Sequence, residues 1–291
     1  MRTLGSYEVY PIGLGAMPLS QGRNVRPSEE QAIATVQAAL DAGVTYIDTA
    51  DIYAPSFDTM GHNERLVAKA LRAYGGSLDG VIVGTKGGIT RPGDGEWGRN
   101  ASLEYLRSAV EASLRALERD VIDLYQWHRP DRSIDFAEGV ANFKTLQDEG
   151  KVRAIGLSNV NIEEIDIAVQ VLDEGGLASV QNEFSPRFQS SRVELDHCGR
   201  LGIAFLPWSP LGGTGQASKA VGDTYTGFQE IGDQLGVSPQ QVVLAWELSL
   251  GSHVIPIPGA SRVESITDSA SAAALELDDE QLACLRTALE H

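Results

Sequence analysis

Apolar positions along the chain alternate between two rhythms. Short β-branched and aromatic runs, which suit buried strands, fall at Ile12–Met17, Val44–Ile47, Val81–Lys86, Val121–His128, Ala154–Ser158, Ser179–Glu183, Ile203–Trp208 and His253–Pro256. Between them, apolar residues recur at helical spacing. The first helical stretch carries Ala32, Val36, Ala39 and Leu40 on one face and stops at Gly43. Ser28 is its expected N-cap, with Gln31 completing a capping box. A second begins at Gly61-His62-Asn63-Glu64 with Leu66, Val67, Ala70 and Leu71 inward. A third opens at Asn100-Ala-Ser102 and repeats Leu103, Leu106, Val110, Leu114 and Leu117. Further helices are predicted over Asp135–Asp148, Ile162–Leu172, Ser191–Leu201, Pro239–Leu250 and Val263–Ala274.

Two elements stand outside this alternation. Residues 1–11 predict a short hairpin turning at Gly5-Ser6, and Asp278–Leu289 predicts a C-terminal helix. Eight strand–helix units with no linker between halves imply an α/β fold, a closed (β/α)8 TIM barrel with an N-terminal β-hairpin and a C-terminal helix. A single domain over residues 1–291 is expected.

In such a barrel the C-terminal ends of the strands share one face, and active sites lie there. Asp48, Lys86 and His128 end the second, third and fourth strands, 38 and 42 residues apart, about one unit each. Tyr53 follows Asp48 by five residues. Singly, each has a plain structural reading: Asp48 a helix cap, Tyr53 a packed loop ring, Lys86 an ion-pair partner, His128 a ring packed beside Trp127. Together at one barrel mouth they form an acid–base set. A phenol ionises near pH 10, and an ammonium beside it favours the phenolate. Lys86 can supply that field while Asp48 holds Lys86 charged. His128 can orient a substrate oxygen, and Tyr53 can protonate a carbonyl.

A proton donor needs a hydride donor as partner. No G-x-G-x-x-G follows a strand, so a Rossmann fingerprint is absent. The later loops offer a substitute. Ser158, Asn159 and Gln181 lie at the ends of strands five and six. Trp208-Ser209-Pro210-Leu211-Gly212-Gly213 follows strand seven, with an indole that either stacks on a flat ring or packs in the core. Pro258-Gly259-Ala260-Ser261-Arg262 leads into a helix, an arrangement suited to an anion, although Arg262 also reads as a solvated helix residue.

Composition narrows the partners. A formal net charge of −17 argues against nucleic acid, which needs clustered Lys and Arg. No apolar run is long enough for a membrane helix. Two cysteines, Cys198 and Cys284, make neither a disulfide framework nor a metal cluster. The opening residues lack the features of a secretory signal, so a cytoplasmic protein is expected.

The strings G-L-G-A-M, Y-I-D-T-A-D-I-Y, G-H-N-E-R-L, V-G-T-K, D-L-Y-Q-W-H-R-P-D, I-G-L-S-N, W-S-P-L-G-G and I-P-G-A-S-R, in this order, resemble the aldo-keto reductase family over nearly the whole chain. The resemblance implies an NADPH/NADP-dependent reductase of small-molecule carbonyl compounds, with a tetrad at Asp48, Tyr53, Lys86 and His128. It implies that Ser158, Asn159 and Gln181 hold the carboxamide and that Trp208 stacks on the nicotinamide. Ser209, Pro210, Leu211 and Gly213 would follow the diphosphate, and Gly259, Ser261 and Arg262 would flank the 2′-phosphate. Relatives often carry Gln in place of Ser265, and Glu-Asn in place of Asp268-Ser269, which implies a weaker grip on the adenosine here. The loop Thr90–Asn100, with Trp97 and three glycines, is a candidate lining of the substrate pocket. The short C-terminal tail points to small or planar aldehydes. A pyridoxal-type reductase and a slow-turnover nicotinamide-binding sensor or subunit are the alternatives. Oligomeric state is left open.

Overall fold

The computed structural model describes residues 1–21, 26–213 and 216–289. An antiparallel hairpin, β1 (Arg2–Leu4) and β2 (Tyr7–Val9), precedes the barrel. The barrel strands are β3 (Leu14–Gly15), β4 (Tyr46–Asp48), β5 (Ile82–Gly87), β8 (Ile122–Trp127), β9 (Val152–Ser158), β10 (Leu177–Gln181) and β11 (Ala204–Phe205). They pair in parallel in the order β11-β10-β9-β8-β5-β4-β3. A second small hairpin, β6 (Ile89–Thr90) and β7 (Gly98–Arg99), rises from the end of β5. The hydrophobic pattern does not predict it.

The eighth strand departs from expectation. Residues 254–259 run between β11 and β3 but form only isolated bridges, Phe205 to Val254 and Gly15 to Gly259. Proline explains this. Ile255 and Ile257 donate to the Phe205 and Pro207 carbonyls at 2.8 and 3.2 Å, whereas Pro256 and Pro258 can only accept, from Gly13 and Gly15 at 2.9 and 3.0 Å. With no N–H to give, the two prolines leave the β3 side of this joint half-bonded. Gly15 is required there, since a Cβ would sit 2.7 Å from the Ile257 carbonyl oxygen.

The helices outside the sheet are α1 (Glu29–Asp41), α2 (His62–Arg72), α3 (Leu103–Leu117), α4 (Phe136–Asp148), α5 (Ile162–Leu172), α6 (Arg192–Leu201), α7 (Gln216–Lys219), α8 (Val221–Thr224), α9 (Thr226–Leu235), α10 (Pro239–Ser249), α11 (Val263–Ser271) and α12 (Asp279–Leu289). Side-chain caps start several of them: Ser28, Ser102, Asp135, Asn161 and Ser238 each accept from a first-turn N–H. The Ser28 capping box is not formed. Gln31 instead donates its side chain to the Ser261 carbonyl at 2.9 Å, tying α1 to the loop before α11. The segments α7–α9 are absent from the pattern-based expectation.

Two apolar layers hold the barrel. Tyr46, Ile82, Leu124, Ala154, Ala178, Ala204, Leu206, Ile255 and Ile257 fill the interior, which Leu4 and Val9 of the first hairpin plug. A larger cluster lies between the strands and the helices. Burying one Val, Leu, Ile or Phe side chain contributes about 1.5–3 kcal/mol, so these layers dominate stability. No helix among the described residues is long and apolar enough to cross a membrane.

Candidate active site

Strand register brings the four catalytic candidates together. Asp48, which ends β4, pairs with Gly84 of β5, and Lys86 of β5 pairs with Gln126 of β8. His128 follows β8 directly, its N–H donating to the Gly87 carbonyl at 3.0 Å. Tyr53 comes back over this end in a turn.

Lys86 is the centre. Its ammonium donates to Asp48 Oδ2 at 2.5 Å, to the Thr49 carbonyl at 2.9 Å and to the Tyr53 hydroxyl at 3.4 Å. Its side chain is fully buried, and Asp48 is nearly so. Burial pulls the Lys86 pKa down, but Asp48 and then Tyr53 outweigh that and leave it raised, so the lysine is charged.

Asp48 is itself held firmly. Its Oδ1 accepts from Tyr46 at 3.1 Å, Gln126 at 3.0 Å and Gln181 at 2.9 Å. Gln126 and Tyr46 are not among the residues the sequence singles out. Their inward register is the signal that points to them, because polar positions inside a barrel need partners.

Tyr53 corrects one expectation. Burial raises its pKa, Lys86 lowers it, and burial wins, so the phenol stays protonated rather than poised toward phenolate. That is the form a general acid needs. The His128 ring stands edge-on to Tyr53, with centroids 5.6 Å apart. Burial, then Lys86 and Arg129, hold its pKa well below the usual histidine value, and the imidazole is neutral.

The remaining candidates form an arc from β9 round to α11. Ser158 is buried at the end of β9. Asn159 adopts φ 63°, a left-handed conformation that asparagine tolerates, and donates to the His128 carbonyl at 3.0 Å and to Ser158 Oγ at 2.8 Å. Gln181 turns its amide nitrogen inward, onto Asp48 and Gln126, so it braces the Asp48 carboxylate. Trp208 is half-buried, and its indole N–H has no partner among the described residues. Beyond it, Ser209, Gly212 and Gly213 all take positive φ in a tight turn that the Gly212 N–H closes on the Ser209 carbonyl at 2.9 Å, with Pro210 buried and Leu211 half-buried. Gly259 bridges to Gly15, while exposed Arg262 is the N-cap of α11 and donates to Ser265 Oγ at 3.2 Å. Asp268 does not occupy Arg262. It accepts instead from Ser238 and Gln241, each at 2.7 Å.

Two cavities flank the arc. One of about 440 Å³ opens beside Asn159, Asn182, Glu183, Trp208 and Arg129. Another of about 240 Å³ lies under the 209–213 turn, between Pro186, Leu211, Gly212 and Tyr225. Trp97 sits apart, 52% exposed on the β6–β7 hairpin, under the Arg91 guanidinium.

Comparison with known proteins identifies the family. The family model described as "Aldo/keto reductase family" matches residues 11–290. An uncharacterized oxidoreductase of Schizosaccharomyces pombe is 33% identical, covering 97% of this chain and 87% of its own. A protein of Novosphingobium aromaticivorans named 6-dehydroglucose reductase is 35% identical, covering 91% and 86%. The crystal structure of an aldo-keto reductase from Klebsiella pneumoniae in complex with NADPH superposes with a TM-score of 0.78 at 25% identity, covering 99% and 95%. An acid–base cluster at the mouth of a parallel barrel, with a family match over almost its full length, places this chain in the aldo/keto reductase family.

Proposed function

We propose that the protein is an NADPH-dependent oxidoreductase that reduces aldehydes or ketones to alcohols, with Tyr53 as general acid. The observation that carries this is the buried ammonium of Lys86 lying between Asp48 and the Tyr53 hydroxyl. The cofactor when bound supplies a hydride to the carbonyl carbon. The chain's part is to receive the negative charge that then grows on the carbonyl oxygen. The neutral imidazole of His128 orients that oxygen, and Tyr53 delivers its proton to it. Lys86 stabilises the phenolate left behind, which lowers the barrier to proton transfer.

The arc suits a nicotinamide dinucleotide phosphate. Ser158 and Asn159 offer hydrogen bonds to a carboxamide, and the half-buried indole of Trp208 offers a flat apolar face. The 209–213 turn presents backbone amides to a diphosphate. Among the described residues Arg262 has no ion-pair partner, which leaves it for a 2′-phosphate. The NADPH complex of the Klebsiella pneumoniae relative supports the same cofactor.

The name of the Novosphingobium aromaticivorans relative points to sugar-derived carbonyls as substrates. The decisive test is Tyr53→Phe, which keeps the ring and removes only the proton donor. Turnover of a simple aldehyde with NADPH should fall about 100- to 10,000-fold while NADPH binding persists. Retention of more than about a tenth of the rate, with chemistry limiting, would remove Tyr53 from the role.

A further inference from the structure

The turn that carries Tyr53 sets a hydrogen-bonding problem. Asp51, Ile52, Tyr53 and Ala54 are consecutive and all buried, so four successive carbonyls need donors away from water. The start of α2 supplies two of them. The Gly61 N–H donates to the Asp51 carbonyl at 2.6 Å, and the Asn63 N–H donates to the Tyr53 carbonyl at 3.1 Å. The alternate carbonyls are met from elsewhere. Arg91 Nη1 donates to both Ile52 and Ala54, each at 3.1 Å. One guanidinium nitrogen thus straddles Tyr53, bonded to the residue before it and to the residue after it.

Arg91 reaches this turn from the β6–β7 hairpin, and its guanidinium also lies over the Trp97 ring, with Cζ 4.7 Å from the centroid. Cation–π contact and two charge-assisted hydrogen bonds fix a planar group on both its face and its edge.

We infer that Arg91 is a positioning residue for proton transfer. By holding the peptides on either side of Tyr53 it sets where the phenol stands relative to Lys86. This rests on the assignment of Tyr53 as the acid. The Lys86–Tyr53 contact, at 3.4 Å, is already long for a hydrogen bond, so there is little slack for drift. Without Arg91 two buried carbonyls lose their donor, and the turn has to move toward water or another partner. Misplacement by about 1 Å can cost about 100-fold in rate. Lysine carries several donors on one nitrogen but lacks the flat face that lies over Trp97, so it substitutes only in part.

The test is a double-mutant cycle in single turnover, following NADPH oxidation with 4-nitrobenzaldehyde. It compares the wild type, Arg91→Ala, Arg91→Lys, Tyr53→Phe and the Arg91→Ala/Tyr53→Phe double variant, with NADPH affinity measured alongside by tryptophan quenching. Arg91→Ala should slow hydride transfer about 10- to 100-fold with NADPH affinity unchanged. Arg91→Lys should recover part of that rate, and the double variant should be no slower than Tyr53→Phe alone. An Arg91→Ala enzyme at full rate overturns the inference. So does a double variant slowed by the full Arg91→Ala factor, since the arginine would then act independently of Tyr53. A fast Tyr53→Phe enzyme would instead bring down the assignment of the acid, which separates the two failures. If Arg91→Ala does not fold, the same cycle runs with Arg91→Lys, and a loss that persists undiminished in the Tyr53→Phe background overturns the inference in the same way.

Discussion

Lys86 Nζ stands 3.4 Å from the Tyr53 hydroxyl, and both side chains are buried. The cation opposes a desolvation that pushes the phenol's pKa up, and it does not overcome it. Lys86→Met should therefore raise the Tyr53 pKa further while slowing proton transfer about as severely as loss of the phenol, roughly 100-fold or more. Reduction needs the protonated phenol, so the alkaline fall in rate should move to higher pH in the variant. Single-turnover NADPH oxidation from pH 7 upward checks both, and an alkaline limb that moves down would contradict the role given to Lys86.

Asp48 has a different function from Lys86. Asp48→Asn keeps the lysine but leaves a fully buried ammonium without its counter-charge and turns an amide toward one of four donors. Breaking one partner of a buried pair costs about 3–5 kcal/mol. Urea unfolding should show a loss of that order, and Lys86→Met should also destabilise because it leaves the buried Asp48 carboxylate without its cation. An Asp48→Asn protein as stable as the wild type would mean that the carboxylate is not what holds this core together.

Cofactor choice is expected to rest on Arg262. Hydrogen bonds to charged groups contribute about 1.5–3 kcal/mol, so NADPH should bind about 10- to 150-fold tighter than NADH. Arg262→Ala should erase most of that difference and leave NADH affinity nearly unchanged. Titration with each cofactor, read by tryptophan quenching, decides it. Equal losses for both cofactors would remove Arg262 from the 2′-phosphate role.

Glu247 on α10 is fully buried, and neither carboxyl oxygen has a hydrogen-bond partner among the described residues. Burial raises its pKa well above the usual carboxylate range. The folded protein then keeps a proton that the unfolded chain releases near pH 4.3. Stability should fall as pH rises from that value toward the folded one. Glu247→Gln has nothing to ionise, so it should be more stable than the wild type at pH 8, with the gap closing toward pH 4. A gap that does not change with pH would show that the carboxyl is already ionised in the fold.

The alternation of strand and helix is legible in the sequence because barrel strands are continuous apolar runs and their helices carry one apolar face. The candidate positions Asp48, Lys86 and His128 are legible for the same reason, since strand ends fix their place. What escapes is set by contacts rather than by pattern. Helices α7–α9 contain Gly222, Gly227 and Gly232, which lower helical propensity yet allow close approach, a Cβ at Gly232 standing 2.9 Å from the Val237 carbonyl. Gln31 has the spacing of a capping box but finds a better partner in Ser261, which no local rule foresees. Arg91 and Trp97 sit in a glycine-rich loop with no periodicity, where only the folded geometry shows what the arginine meets.

The half-bonded joint at Pro256 and Pro258 has a mechanical consequence. A closed cylinder opens most cheaply along its least bonded joint, here the one between the first strand and the last. The segment from Gly259 to Arg262 hangs directly from that line, and Gln31 pins it from the other side at Ser261. Whatever seats itself on those residues therefore acts as a clasp, drawing the two edges of the barrel together. A ligand bound there would be felt as tightening around the whole ring, well beyond the residues it touches.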